Sequence, residues 1–215
     1  GVYPIARASD YHASAIGDGF SSATAIRSAI LRGDWSSAYS AMPGKASEWL
    51  EEEALANHLH RPESLDSVLL ARLRLMDAAD YAALPDISEG IERRLRRFAD
   101  TARTRESLLQ AAKTRRYPYA RLSRLATHAL LGVTQAVVDS NPLPSAAFLL
   151  GFRRGCEPLL SHLAQGAIPL VSSAAQCGKG AAWAQVERRA WELWALGAGY
   201  DGDMWQRHGV VRGEC

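Results

Sequence analysis

Cysteine is scarce in this 215-residue chain. Cys156, Cys177 and Cys215 are odd in number, widely spaced and match no metal-ligand pattern. His58 and His60 lie close together, but no Cys or carboxylate completes a zinc-like set beside them. These shortages point to a reduced, cytoplasmic protein with no structural metal. No apolar run approaches the roughly 20 residues a membrane span requires, and no basic-then-apolar leader opens the sequence. Internal repeats and low-complexity tracts are also absent. Gly1-Val2-Tyr3-Pro4 lacks an initiator Met and reads as a piece of a longer protein. What is present is ordinary globular composition, 47% hydrophobic and 22% charged, at a length suited to one domain or two closely packed ones.

The net charge of +2 conceals a steep asymmetry. Arg93, Arg94, Arg96, Arg97, Arg103, Arg105, Lys113, Arg115, Arg116, Arg121 and Arg124 face only Asp100 and Glu106, eleven cations against two anions. The stretch therefore carries +9, and the rest of the chain −7. Such a block suits a polyanion, or else forms an arginine-rich solvated surface paired with acidic neighbours.

Periodicity predicts a mainly α fold, a helical bundle-like domain with a small parallel strand–helix–strand element. Tyr3 to Phe20 reads as a short strand and a loop. Ser21-Ser22 caps a helix whose face carries Ile26, Ala29 and Ile30, and Gly33 stops it. A second short helix runs from Trp35 to Ala41, ended by Pro43-Gly44. Helical spacing continues from Lys45 to about Leu75, broken by Pro62. Asp86-Ile87-Ser88-Glu89-Gly90 opens a helix through Phe98, with Ile91 and Leu95 inward and the arginines outward. Leu108 to Ala112 and Tyr119 to Leu131 are two more. After the Asn141-Pro142-Leu143-Pro144 break, Ala147 to Phe152 and Ala167 to Val171 read as strands flanking a helix at Glu157 to Leu163. Ala181 to Leu196 is a last helix whose Trp183, Trp191 and Trp194 serve the core or a docking face. The expected divisions are 1–33, 34–140 and 141–215.

Three constellations could carry chemistry. Ser21, Ser22, Thr24 and Arg27 stand at a helix mouth, where hydroxyls, unpaired amides and the positive dipole end can hold phosphate oxygens; a plain cap with a surface arginine is the alternative. Lys113, Arg115, Arg116, Tyr117, Tyr119, Arg121 and Arg124 place five cations and two aromatics within twelve residues. Cations neutralise phosphates and tyrosine faces stack on unpaired bases; alternatively the tyrosines pack inward. Asp86 and Glu89 could serve acid–base chemistry, but Ser88 and Glu89 stand where first-turn caps belong.

Six segments in this order resemble the C-terminal half of a bacterial family, the tRNA(Met) cytidine acetate ligases. They are Tyr3-Pro4-Ile5-Ala6-Arg7 with Asp10-Tyr11-His12, Ser21 to Arg27, Asp86 to Arg94, Lys113 to Tyr117 with Arg121 and Arg124, Leu149-Leu150-Gly151-Phe152, and Ile168-Pro169. The resemblance implies an enzyme that activates acetate with ATP, with Mg2+ accompanying the nucleotide, and transfers acetyl from acetyl-adenylate to N4 of the wobble cytidine of tRNA. It implies that Arg7 and Ser21 to Arg27 contact ATP, and that Lys113 to Arg124 contact tRNA. Family members carry an HxGH motif in an N-terminal nucleotidyltransferase-like domain. No HxGH occurs in these residues, and Asn57-His58-Leu59-His60 lacks the order. The expectation is therefore that most of that domain is missing and that the chain alone is inactive. Competing expectations are a non-catalytic RNA-binding or partner-docking module, and a nucleotidyltransferase fragment acting on a small molecule.

Overall fold

The computed structural model describes residues 15–17, 21–43, 45–143, 146–173, 176, 182–201 and 211–213. The chain divides into two compact units, Gly1–Leu59 and His60–Cys215.

The first unit contains α1 (Ala23–Leu31), α2 (Trp35–Ser40) and α3 (Ala46–Leu55). Ser22 is extended and its hydroxyl accepts from the Ala25 amide at 3.0 Å, the cap its sequence position promised. Gly33 follows α1 at φ +79°, a conformation cheap only without a Cβ. Asp34 then caps α2 by accepting from Ser37. Ala25, Ala29 and Ala38 are fully buried where α1 and α2 meet, so small side chains let the backbones approach.

The second unit begins with a helical body: α4 (Asp66–Leu75), α5 (Ala78–Ala82), α6 (Ile91–Ala99), α7 (Arg105–Ala112), α8 (Tyr119–Leu131) and α9 (Gln135–Ser140). Helix α4 packs against α6, α7 and α8. Leu73, Ile91, Leu95, Leu108, Leu109, Leu122 and Leu125 are essentially inaccessible in the core between them, each worth about 1.5–3 kcal/mol of transfer free energy. Tyr81 is buried with them; its hydroxyl donates to the Leu73 carbonyl at 2.7 Å, and burial pushes the phenol up to about 12.

Three arginines supply the donors that helix C-termini lack. Arg74 donates to the Ala99 and Ala102 carbonyls at 2.9 and 2.7 Å, closing α6. Arg94 donates to Ala112 at 2.5 Å and Ala111 at 3.3 Å, closing α7. Arg72 reaches Ala129 near the end of α8. Each places a cation at the negative end of a helix dipole. Arg94 thus departs from the expectation that all α6 arginines point outward.

Beyond α9 come β1 (Ala147–Phe148), β2 (Gly151–Arg153), α10 (Glu157–Leu163), β3 (Leu170–Val171), α11 (Ala182–Ala198) and β4 (Val211–Gly213). Strands β1 and β3 are parallel, pairing Ala147 with Leu170 and Phe148 with Val171, with α10 in the crossover as periodicity predicted. A second parallel pair, β2 with β4, was not foreseen. Val171 and Ala184 form a small apolar centre with Phe148, Trp183 and Trp191 around it, so two of the three tryptophans serve packing. Trp194 remains 39% exposed and stacks on Tyr200 at 5.4 Å. Among the described residues no helix is long and apolar enough to cross a membrane.

Candidate nucleotide and nucleic-acid sites

The first candidate site is the mouth of α1. Ser22 caps it, and the Ser21 hydroxyl is buried with no hydrogen-bond partner among the described residues. A buried, unsatisfied hydroxyl costs about 1–3 kcal/mol, and a ligand oxygen would remove that cost. Thr24 and Arg27 are exposed on the first turns of α1, and Arg27 forms no ion pair among the described residues. Arg7 lies outside the described residues. Hydroxyl, first-turn amides and guanidinium together can cradle an anion such as a phosphate.

The second candidate is the basic stretch of the helical body, which the structure divides. No side chain of residues 86–90 caps α6. Asp86 and Glu89 sit at φ 60° and Gly90 at φ 83°, and Gly90 is the N-cap residue with no side-chain cap bond. This corrects the capping expectation: three residues in left-handed conformation make a tight turn that outside contacts must hold. Those contacts are the arginines. Arg116 Nε donates to Glu89 Oε2 at 2.7 Å. Arg121 Nη2 donates to the Asp86 carbonyl and the Ser88 hydroxyl, both at 2.7 Å. Arg124 lies 3.8 Å from the Asp86 carboxylate. The Arg116 guanidinium holds the Glu89 carboxyl below its usual range.

Tyr117 is buried to 9% exposure, and its hydroxyl donates to the Glu89 carbonyl at 2.6 Å. Its ring faces the core, so it offers no stacking surface. Tyr119 is half-buried, and its hydroxyl donates to Glu106 Oε2 at 2.7 Å. That hydrogen bond lowers the Glu106 carboxyl. Arg105 donates to the Ser123 hydroxyl. Lys113 and Arg115 are exposed and ion-pair with no carboxylate among the described residues.

Sequence reasoning passed over His128 on α8. Its Nδ1 is buried without a partner among the described residues, and burial pushes its pKa down against the pull of Asp86. No periodic signal distinguishes it from the helix's other inward positions. Among the described residues no three His, Cys, Asp or Glu side chains gather as a metal set.

The chain falls in a recognised class. The family model described as HIGH Nucleotidyl Transferase matches residues 1–201, and the chain belongs to that family. Curated relatives include the tRNA(Met) cytidine acetate ligase of Levilactobacillus brevis, 35% identical over 80% of this chain and 45% of its own length. The enzyme of that name from Thermosipho melanesiensis is 31% identical over 72% of this chain and 37% of its own. The chain thus spans less than half the length of these relatives. The apo crystal structure of Thermotoga maritima TmcAL superposes with TM-score 0.83 at 21% identity, over 95% of this chain and 54% of that one. The same protein bound to alpha-thio ATP gives TM-score 0.79 at 20% identity, over 91% and 53%. The likeness establishes the fold. The family match also corrects the expectation of a missing nucleotidyltransferase domain, because it places residues 1–201 of this chain within that family although they spell no HxGH.

Proposed function

We propose that the chain is the C-terminal portion of an ATP-dependent tRNA(Met) cytidine acetate ligase, forming N4-acetylcytidine at the wobble position through acetyl-adenylate in the cytoplasm. Its first unit contributes Arg7, Ser21, Ser22, Thr24 and Arg27 to the ATP phosphates, with Mg2+ bound through the nucleotide. Its helical body contributes tRNA contacts, in which Lys113 and Arg115 are the cations of the Lys113 to Arg124 segment available to phosphate. Acetate is the second small substrate.

One observation carries the ATP assignment: the buried Ser21 hydroxyl at the α1 mouth, which has no partner among the described residues. Titrating the chain with ATP while following backbone amide resonances tests it. Ala23 and Thr24 should shift, with weak affinity, and Arg27→Ala should weaken binding about tenfold, the effect of losing one charge-assisted contact. Shifts confined to other regions would overturn the assignment. The chain alone should support no acetate-dependent ATP–pyrophosphate exchange, and measurable exchange would refute that part.

A further inference from the structure

Of the eleven cations between Arg93 and Arg124, five are already committed. Arg94 and Arg105 donate to a carbonyl pair and a hydroxyl, and Arg116, Arg121 and Arg124 hold the 86–90 turn. Of the other six, Arg93, Arg96 and Arg97 lie together on α6, and Arg103, Lys113 and Arg115 lie outside it. At about 100° per residue, Ile91, Leu95 and Ala99, all fully buried, share one side of that helix. Arg93, Arg96 and Arg97 fall on the opposite side within an arc of about 100°. Arg93 is 90% exposed, and among the described residues its one ion pair is with its neighbour Glu92, at 3.7 Å. Arg96 and Arg97 are exposed and ion-pair with no carboxylate among the described residues. The Arg94 bonds to Ala111 and Ala112 bring the end of α7 against α6, so exposed Lys113, the next residue, lies close to that helix. Glu106 accepts from Tyr119 and Gln110 and keeps its negative charge, so it and exposed Asp100 are the two anions that oppose the eleven cations of this stretch.

The aromatics near this surface are unsuited to stacking. Tyr117 is buried, Tyr119 is tied to Glu106, and Phe98 is half-buried with Arg94 and Arg97 5.0 and 5.8 Å from its ring centre. A surface with cations but no open ring recognises phosphates rather than unpaired bases.

Building on the tRNA reading, we infer that the Arg93–Arg96–Arg97 face of α6, extended by Lys113, grips the paired stem of a folded RNA through its phosphates. The arginines of the 86–90 turn are structural supports for that face.

The test compares the full chain with its R93Q/R96Q/R97Q variant, using an RNA hairpin with one helical turn of stem and a single-stranded RNA of equal length. Affinities are measured across a salt series. The hairpin should bind at low salt with a steep salt dependence. The variant should bind it roughly tenfold or more weakly, with a slope shallower by about 2 to 3, roughly one per lost phosphate contact. The R93K/R96K/R97K variant should restore the slope, which separates lost charge from lost fold. An unchanged slope in the glutamine variant, or single-stranded RNA binding as tightly as the hairpin, would overturn the inference while leaving tRNA binding intact. Failure of the unmodified chain to bind either RNA at low salt would overturn the tRNA reading itself.

Discussion

Two groups of three arginines, drawn from one basic stretch of sequence and equal in charge, have opposite fates in this molecule. Arg116, Arg121 and Arg124 turn toward the body, satisfying the carbonyl, hydroxyl and carboxylate groups of the 86–90 turn. Arg93, Arg96 and Arg97 turn away from it, opposite the fully buried Ile91, Leu95 and Ala99. The difference teaches that a run of like charge does not itself define a binding surface. A guanidinium has five donors, and where nearby backbone carbonyls lack partners it serves the fold first.

The strongest way to break this contrast is to remove the core beneath the free group. Leu95→Ala should cost about 2–5 kcal/mol in urea unfolding, since a fully buried leucine leaves a cavity among α4, α6 and α7. A cost under 1 kcal/mol would mean that α6 is not anchored as described. Next comes the paired comparison of Arg121→Ala and Arg96→Ala. Arg121→Ala removes two charge-assisted bonds and should lower stability by about 1–2 kcal/mol; Arg96→Ala should stay within about 0.5 kcal/mol. Equal effects would erase the distinction between supporting and free cations. Gly90→Ala should cost about 1 kcal/mol in the same assay, from its φ of 83° alone, because a Cβ there meets open space.

The smallest effect is a pH dependence. The Glu89 pKa is lowered in the fold by Arg116, so its contribution is fully present above the unfolded carboxylate value of 4.5. It is lost as pH falls through the lower folded value. Glu89→Gln should therefore flatten the acid limb of the stability curve below about pH 4.5 and leave the shape near neutrality unchanged. His128 acts at higher pH with the same sign. Its folded pKa lies below 6.5, so stability declines as pH drops from 6.5 toward that value. A His128→Gln variant lacking this slope would verify the assignment.

Local chemistry written in the residues themselves was readable in advance. The Ser22 cap, the Gly33 stop, the inward Ile91 and Leu95, and the parallel β1–β3 crossing all rest on short-range rules. What escaped prediction depends on partners distant in sequence. The 86–90 turn has the composition of a helix cap and becomes something else because Arg116, Arg121 and Tyr117 arrive from some 30 residues away. Tyr117 looked like a stacking residue because its flanking cations are visible in sequence, whereas the Glu89 carbonyl that fixes it is not. Short α5 and α9 carried too few apolar positions for a period to emerge. At the α1 mouth the residue types were legible, and the burial of the Ser21 hydroxyl was a matter of packing.

The β2–β4 pair has a consequence for biosynthesis. Its strands are separated by roughly 60 residues, so joining them closes a long loop for only three residue pairs. The helices preceding Asn141 can assemble through short-range contacts while translation is still under way. Gly151–Arg153 must then wait with an open edge until Val211–Gly213 has left the ribosome, and during that interval the nascent protein is most exposed to mispairing with another chain.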